Sequence, residues 1–101
     1  MKIYNKLVRD RIPEIIRAKG REPILHIADE EEYWRKLKEK LREEVEEFIE
    51  AENEEELADM LEVLDAIGRH KRLDWKEVRR ILNKKAEERG RFHQRIILDE
   101  A

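Results

Sequence analysis

Between Trp34 and Phe48, apolar side chains return at steps of three and four residues, through Leu37, Leu41 and Val45. That spacing suits a helix with one face against a partner and little else. Leu57, Met60, Leu61, Leu64 and Ile67 repeat the pattern just after Asn53, a helix-capping residue type, with Glu56 three positions beyond it. The two stripes predict a tight helical hairpin. Asp74 followed by Glu77 predicts the cap of a further helix carrying Val78, Ile81, Leu82 and Ala86 and stopped by Gly90. Pro13, suited to a first turn, opens a shorter helix that runs to about Lys19, with Gly20 behind it. The expectation is an all-α, four-helix bundle-like fold. Residues 2–8, 24–28 and 95–98 are short apolar or mixed stretches that read as extended.

With 101 residues, the chain is expected to form one domain spanning residues 1–101. Charged residues make up 49% of it, yet the net charge is only −3, so the charges are expected to coat helices rather than a disordered tail. No apolar run approaches the roughly 18 residues of a membrane span, and the charged N-terminus lacks the hydrophobic centre of a secretory signal. A cytoplasmic protein without a membrane partner is expected. Cysteine, serine and threonine are all missing. This removes disulfides, the usual acyl-transfer nucleophiles and a Walker A loop, and leaves carboxylates, imidazoles or a metal to carry any chemistry. The scarcity of Asn, Gln and Met beside so much mixed charge also fits a heat-adapted protein.

The charge is unevenly placed. Residues 29–62 carry 16 acidic against 5 basic side chains, whereas residues 69–95 carry 11 basic against 4 acidic, and the first 28 residues carry 7 basic against 3 acidic. An acidic hairpin flanked by cationic segments suits a metal with an anionic ligand, and equally suits helices that simply attract one another. A nucleic-acid partner is not expected, since the total charge is negative and no base-stacking motif accompanies the basic stretches.

Within the hairpin, Glu43, Glu44 and Glu47 form an E-E-x-x-E pattern, followed by Glu56 and Asp59 as E-x-x-D. At roughly 100° per residue, Glu44 and Glu47 stand about 60° and 120° to one side of the first apolar stripe. Glu56 and Asp59 stand about 70° and 130° from the second, in the same rotational sense. Antiparallel packing therefore brings both pairs to one side of the seam. Four carboxylates at the margin of an apolar interface repel one another unless protonated, hydrated or neutralised, and a hard divalent cation such as Mg²⁺ or Mn²⁺ is the economical answer. Solvated helix-face glutamates, with Glu56 serving a cap, are the competing reading.

Lys40-Leu41-Arg42-Glu43-Glu44-Val45-Glu46-Glu47-Phe48 followed by Glu55-Glu56-Leu57-Ala58-Asp59-Met60-Leu61 resembles the motif of MazG-like, all-α nucleotide pyrophosphohydrolases, a superfamily that includes phosphoribosyl-ATP pyrophosphohydrolase. Tyr4-Asn5-Lys6-Leu7-Val8-Arg9-Asp10-Arg11-Ile12-Pro13 and Lys85-Ala86-Glu87-Glu88-Arg89-Gly90-Arg91-Phe92 resemble the opening and closing blocks of its small, single-domain branch. The resemblance implies hydrolysis between the α and β phosphates of a nucleoside triphosphate, to a nucleoside monophosphate and pyrophosphate. It implies Glu44, Glu47, Glu56 and Asp59 as ligands of Mg²⁺, with Mn²⁺ as a substitute, and Glu43, Glu44 and Glu47 as the catalytic carboxylates. By charge, Lys6, Arg9, Arg11, Lys85, Arg89 and Arg91 are the candidate phosphate contacts. The connection between Glu47 and Glu56 is shorter than in many members of the superfamily. Phosphoribosyl-ATP as substrate, and a non-catalytic nucleotide-binding or oligomerisation module, are the alternatives.

A four-helix chain of this length buries a modest core, so a homodimer or homotetramer is expected. Trp34 lies in the core stripe, and it reads, with Tyr33 and Trp75, as packing. His26, His70 and His93 show no metal-ligand spacing.

Overall fold

Short-range chemistry marks the start of the helices in the computed structural model, which describes residues 4–101. The start of the extended stretch expected at residues 2–8 lies outside the described residues. Helix α1, Ile12–Ala18, carries Pro13 in its first turn, where the missing amide hydrogen costs nothing. Gly20 follows at φ 82°, a left-handed conformation that glycine adopts without a Cβ penalty. Helix α2, Glu30–Ala51, opens on Asp29, whose carboxylate accepts from the Glu32 amide at 2.8 Å, and three glutamates fill its first turn. Helix α3, Glu54–His70, opens in the same way on Asn53, whose side-chain oxygen accepts from the Glu56 amide at 2.9 Å. Helix α4, Trp75–Arg89, is capped by Asp74 through the Lys76 amide. Glu77 does not close a reciprocal box there; it pairs with Arg80 one turn on.

The turn between α2 and α3 is as short as the stripes predicted. Glu52 takes a left-handed conformation at φ 53° and donates its amide to the Phe48 carbonyl, and Asn53 already caps the next helix. The helices then run back along each other, with Leu37 (1% exposed) and Val63 (8%) as the buried apolar core between them. The fold is all-α, with four helices and no strand among the described residues. Residues 21–29 and 95–101 are irregular and join no strand ladder. No helix among the described residues is long and apolar enough to cross a membrane.

Neither α1 nor α4 packs on another helix to the extent that α2 and α3 pack together. The molecule measures 58 × 30 × 24 Å with a radius of gyration of 18.2 Å, against about 13 Å for a compact domain of this length. Its accessible surface of 9827 Å² exceeds by more than half the roughly 6100 Å² of a compact monomer of equal mass. Val78, Ile81 and Leu82 on α4, and Phe92, Ile96, Ile97 and Leu98 beyond it, are exposed.

Gly68 fixes where α4 leaves the hairpin. A methyl group at Gly68 would fall 2.6 Å from Cζ2 of Trp75, so the indole lies where any side chain would stand. In an exposed helix interior, Gly→Ala gains about 1 kcal/mol. Here Gly68→Ala is expected to cost about 1–3 kcal/mol, because the ring and the start of α4 must shift. Thermal unfolding measures the sign of this change, and a higher midpoint in the variant would refute the contact.

Candidate metal centre

Glu44, Glu56 and Asp59 each offer a carboxylate oxygen, and the three oxygens lie within 4.8 Å of one another. The hairpin positions them. Glu56 and Asp59, three residues apart in the first two turns of α3, share a face, and the tight Glu52–Asn53 turn sets that face against the last turns of α2. Glu44 is buried at 6% exposure, an unusual position for a charged side chain. Its Oε1 lies 3.4 Å from Lys40 Nζ, whereas its Oε2 and the Oε2 of Glu56 are buried and accept no hydrogen bond from the described residues. Two buried acceptor oxygens on members of one carboxylate cluster are what a cation would satisfy. An all-oxygen donor set suits Mg²⁺ or Mn²⁺.

Glu47 stands outside this triad. It is exposed on α2, consistent with its larger angle from the apolar stripe, but its carboxylate is close enough to act on Glu44. Burial first, and then the Glu47 charge, push the Glu44 carboxyl above its ordinary value of 4.5, against the pull of Lys40. Glu43 shows the opposite balance. Burial opposes its charged form, but hydrogen bonds and charge from Lys6 and Lys40 outweigh it and hold the carboxyl below 4.5. Lys6 Nζ lies 3.2 Å from Glu43 Oε1 and Lys40 Nζ lies 3.4 Å from Oε2.

Of the six cations expected to contact phosphate, two reach this neighbourhood. The Lys36 ammonium donates to the Asn5 carbonyl at 2.8 Å and so ties the N-terminal segment to α2. From that segment Lys6 meets Glu43, and Arg9 reaches Asp59 at 2.9 Å and Glu62 at 3.6 Å. Arg11 turns instead to Glu14 of α1, 3.3 Å away. Lys85, Arg89 and Arg91 are exposed on or just beyond α4, which does not pack on the carboxylate-bearing part of the hairpin, so one chain does not bring them to the site. Lys40 is the contributor that charge patterning did not single out. Its spacing of three and four residues to Glu43 and Glu44 is the signal that finds it.

Tyr33, Trp34 and His70 lie at the opposite end of the hairpin. His70 meets Tyr33 edge-on at 5.0 Å and stacks on Trp34 at 5.8 Å, and Lys71 and Lys38 sit 4.1 and 5.1 Å from the Trp34 ring. These contacts close α2 on α3 through packing and cation–π attraction. His26 pairs with Glu32 at 2.9 Å.

An uncharacterized protein of Mycolicibacterium smegmatis is 56% identical to this chain over 43 residues, which make up 43% of this chain and 44% of that protein. No family model and no solved structure matches the chain.

Proposed function

We propose that the chain is a metal-dependent nucleoside triphosphate pyrophosphohydrolase of the MazG-like kind, acting in the cytoplasm on standard or modified nucleotides. The observation that carries this reading is the Glu44, Glu56 and Asp59 cluster with its two unpartnered, buried oxygens. A divalent ion held there supplies positive charge to phosphate oxygens and acidifies a water. Glu44 and Glu56 each present one buried oxygen that has no hydrogen-bond partner among the described residues. Glu47, exposed beside Glu44, has the solvent access needed to take a proton from an attacking water. Glu43, locked between Lys6 and Lys40 in its ionised form, is suited to orienting that water. Lys6 and Arg9 set positive charge at the rim, where a polyphosphate would lie. The excess surface and exposed apolar side chains of α4 support assembly as a homodimer or homotetramer, in which a neighbouring copy supplies Lys85, Arg89 and Arg91.

One observation favours a second reading. Arg9 on Asp59 already neutralises part of the cluster, and Lys6 neutralises Glu43 beside it, as they would in a non-catalytic oligomerisation module. Pyrophosphate release separates the two, assayed on a panel of standard and modified nucleoside triphosphates and phosphoribosyl-ATP, with Mg²⁺ or Mn²⁺ and with EDTA. Release that requires metal and is lost in Glu47→Gln is the expected result. No release from the folded protein across the panel would leave the module as the better account.

A further inference from the structure

Among the described residues, Arg9 is the charged side chain from outside the hairpin paired with a carboxylate of the triad. Its Nη2 lies 2.9 Å from Asp59 Oδ1 and its Nη1 lies 3.6 Å from Glu62 Oε1, so one guanidinium spans two carboxylates a turn apart on α3. Of the three clustered carboxylates, Asp59 is thus the one with an arginine on it, while Glu44 and Glu56 each keep a buried oxygen without a partner. A carboxylate oxygen that accepts a charge-assisted hydrogen bond at this distance has its charge turned toward the guanidinium. It is not then fully available to a second cation a few ångströms away, and two cations at that separation repel.

We infer that Arg9 is a built-in competitor for the metal at Asp59, a cation carried by the N-terminal segment that must leave this carboxylate before the triad can close on a divalent ion. The inference rests on the metal reading proposed above and adds a regulatory element to it. Arg9 lowers the site's affinity for metal, and its departure from Asp59 releases a guanidinium beside the site in the same step. Tethering supports such an exchange: the Lys36–Asn5 hydrogen bond and the Lys6–Glu43 pair hold the segment on α2, so Arg9 leaves Asp59 without leaving the neighbourhood. Because the Arg9 side chain is 57% exposed, it can swing into solvent at little cost in packing.

The test is direct Mn²⁺ binding, by calorimetry and by the loss of the free-ion paramagnetic resonance signal, for the full chain at low ionic strength. The proteins compared are the parent, Arg9→Gln and Arg17→Gln. Arg17 pairs with Glu22 and with no carboxylate of the triad, so its variant makes the same change in net charge without touching the triad. Arg9→Gln is expected to bind Mn²⁺ about three- to tenfold more tightly than the parent, and Arg17→Gln to match the parent. The advantage is expected to shrink in about 0.5 M salt, where exposed charges are screened. Equal affinity of the parent and Arg9→Gln, or weaker binding by Arg9→Gln, overturns the inference while leaving the metal site standing. Absence of Mn²⁺ binding by all three proteins overturns the metal reading itself, and the inference with it. Circular dichroism confirms that each variant keeps its helices.

Discussion

Glu44→Gln is expected to unfold at a higher temperature than the parent in EDTA, and to lose the stabilisation that Mn²⁺ gives the parent. Both effects come from the same atoms. The Glu44 carboxylate is buried with one oxygen unpartnered, and burial together with the neighbouring Glu47 charge pushes its pKa above 4.5. A carboxyl whose folded pKa is raised binds its proton more tightly in the folded state than in the unfolded one. Its ionisation therefore costs stability as pH rises from about 4.5 through the folded value, and that cost is present in full only above the folded value. A neutral isostere removes it. The gain is about 1–2 kcal/mol, the scale of an unsatisfied buried group, less what is lost with the Lys40 contact. In the parent, an ion at about a hundred times its dissociation constant would add roughly 2.7 kcal/mol, which the variant is expected to forgo together with the pyrophosphate release proposed above. Melting curves with EDTA and with Mn²⁺, taken across the carboxylate pH range, measure both effects. Glu43 contributes with the opposite sign: its lowered pKa stabilises the fold above 4.5, and that contribution is lost as pH falls through the folded value. A Glu44→Gln protein less stable than the parent in EDTA would show that the site is satisfied without a cation.

Leu37→Ala is expected to carry the largest stability loss of any single truncation, about 2–5 kcal/mol. Leu37 is the large side chain that the hairpin buries almost completely, and Val63 is its buried apolar companion. With so little else in the seam, a cavity there has few neighbours to collapse into it. The loss appears as a lower midpoint in urea at fixed protein concentration, since association also contributes to stability. Truncation of Leu61, exposed on α3, is the comparison, and equal losses at the two positions would mean that the core lies between copies of the chain rather than within one.

The helices were legible because their signals are local. The stripe from Trp34 to Phe48 and the caps at Asn53 and Asp74 each act over three or four residues, and each element begins where its cap stands. Asp29 was missed, although Asp29 and Glu32 carry the same spacing as Asn53 and Glu56. The left-handed turn residue is Glu52, which has neither the freedom of glycine nor the short amide of asparagine to mark it. In the site, angular offsets from the apolar stripes correctly brought carboxylates of the two helices to one side. The nearer offset of Glu44 and the farther one of Glu47 explain why the first is buried and the second exposed. The contacts of Lys6 and Arg9 were not legible. They join residues 37 and 50 positions apart, and in a chain that is half charged, composition offers every cation many equivalent partners. The disposition of α4 escaped for a related reason: an amphipathic pattern says that a face will be covered, but not by which chain.

Both tryptophans sit away from the carboxylates. Trp34 lies ten residues before Glu44 on α2, about 15 Å along the axis, and Trp75 rests on Gly68 near the far end of α3. Tryptophan emission is therefore expected to respond little to charge changes at Glu44, Glu56 and Asp59. It reports instead on the stacking of Trp34 with His70 and on the seat of α4 against the hairpin. An emission change on adding metal would then be an optical signature of helix rearrangement at a distance, and a silent spectrum beside a shifted melting curve would locate the ion's effect at the carboxylates alone.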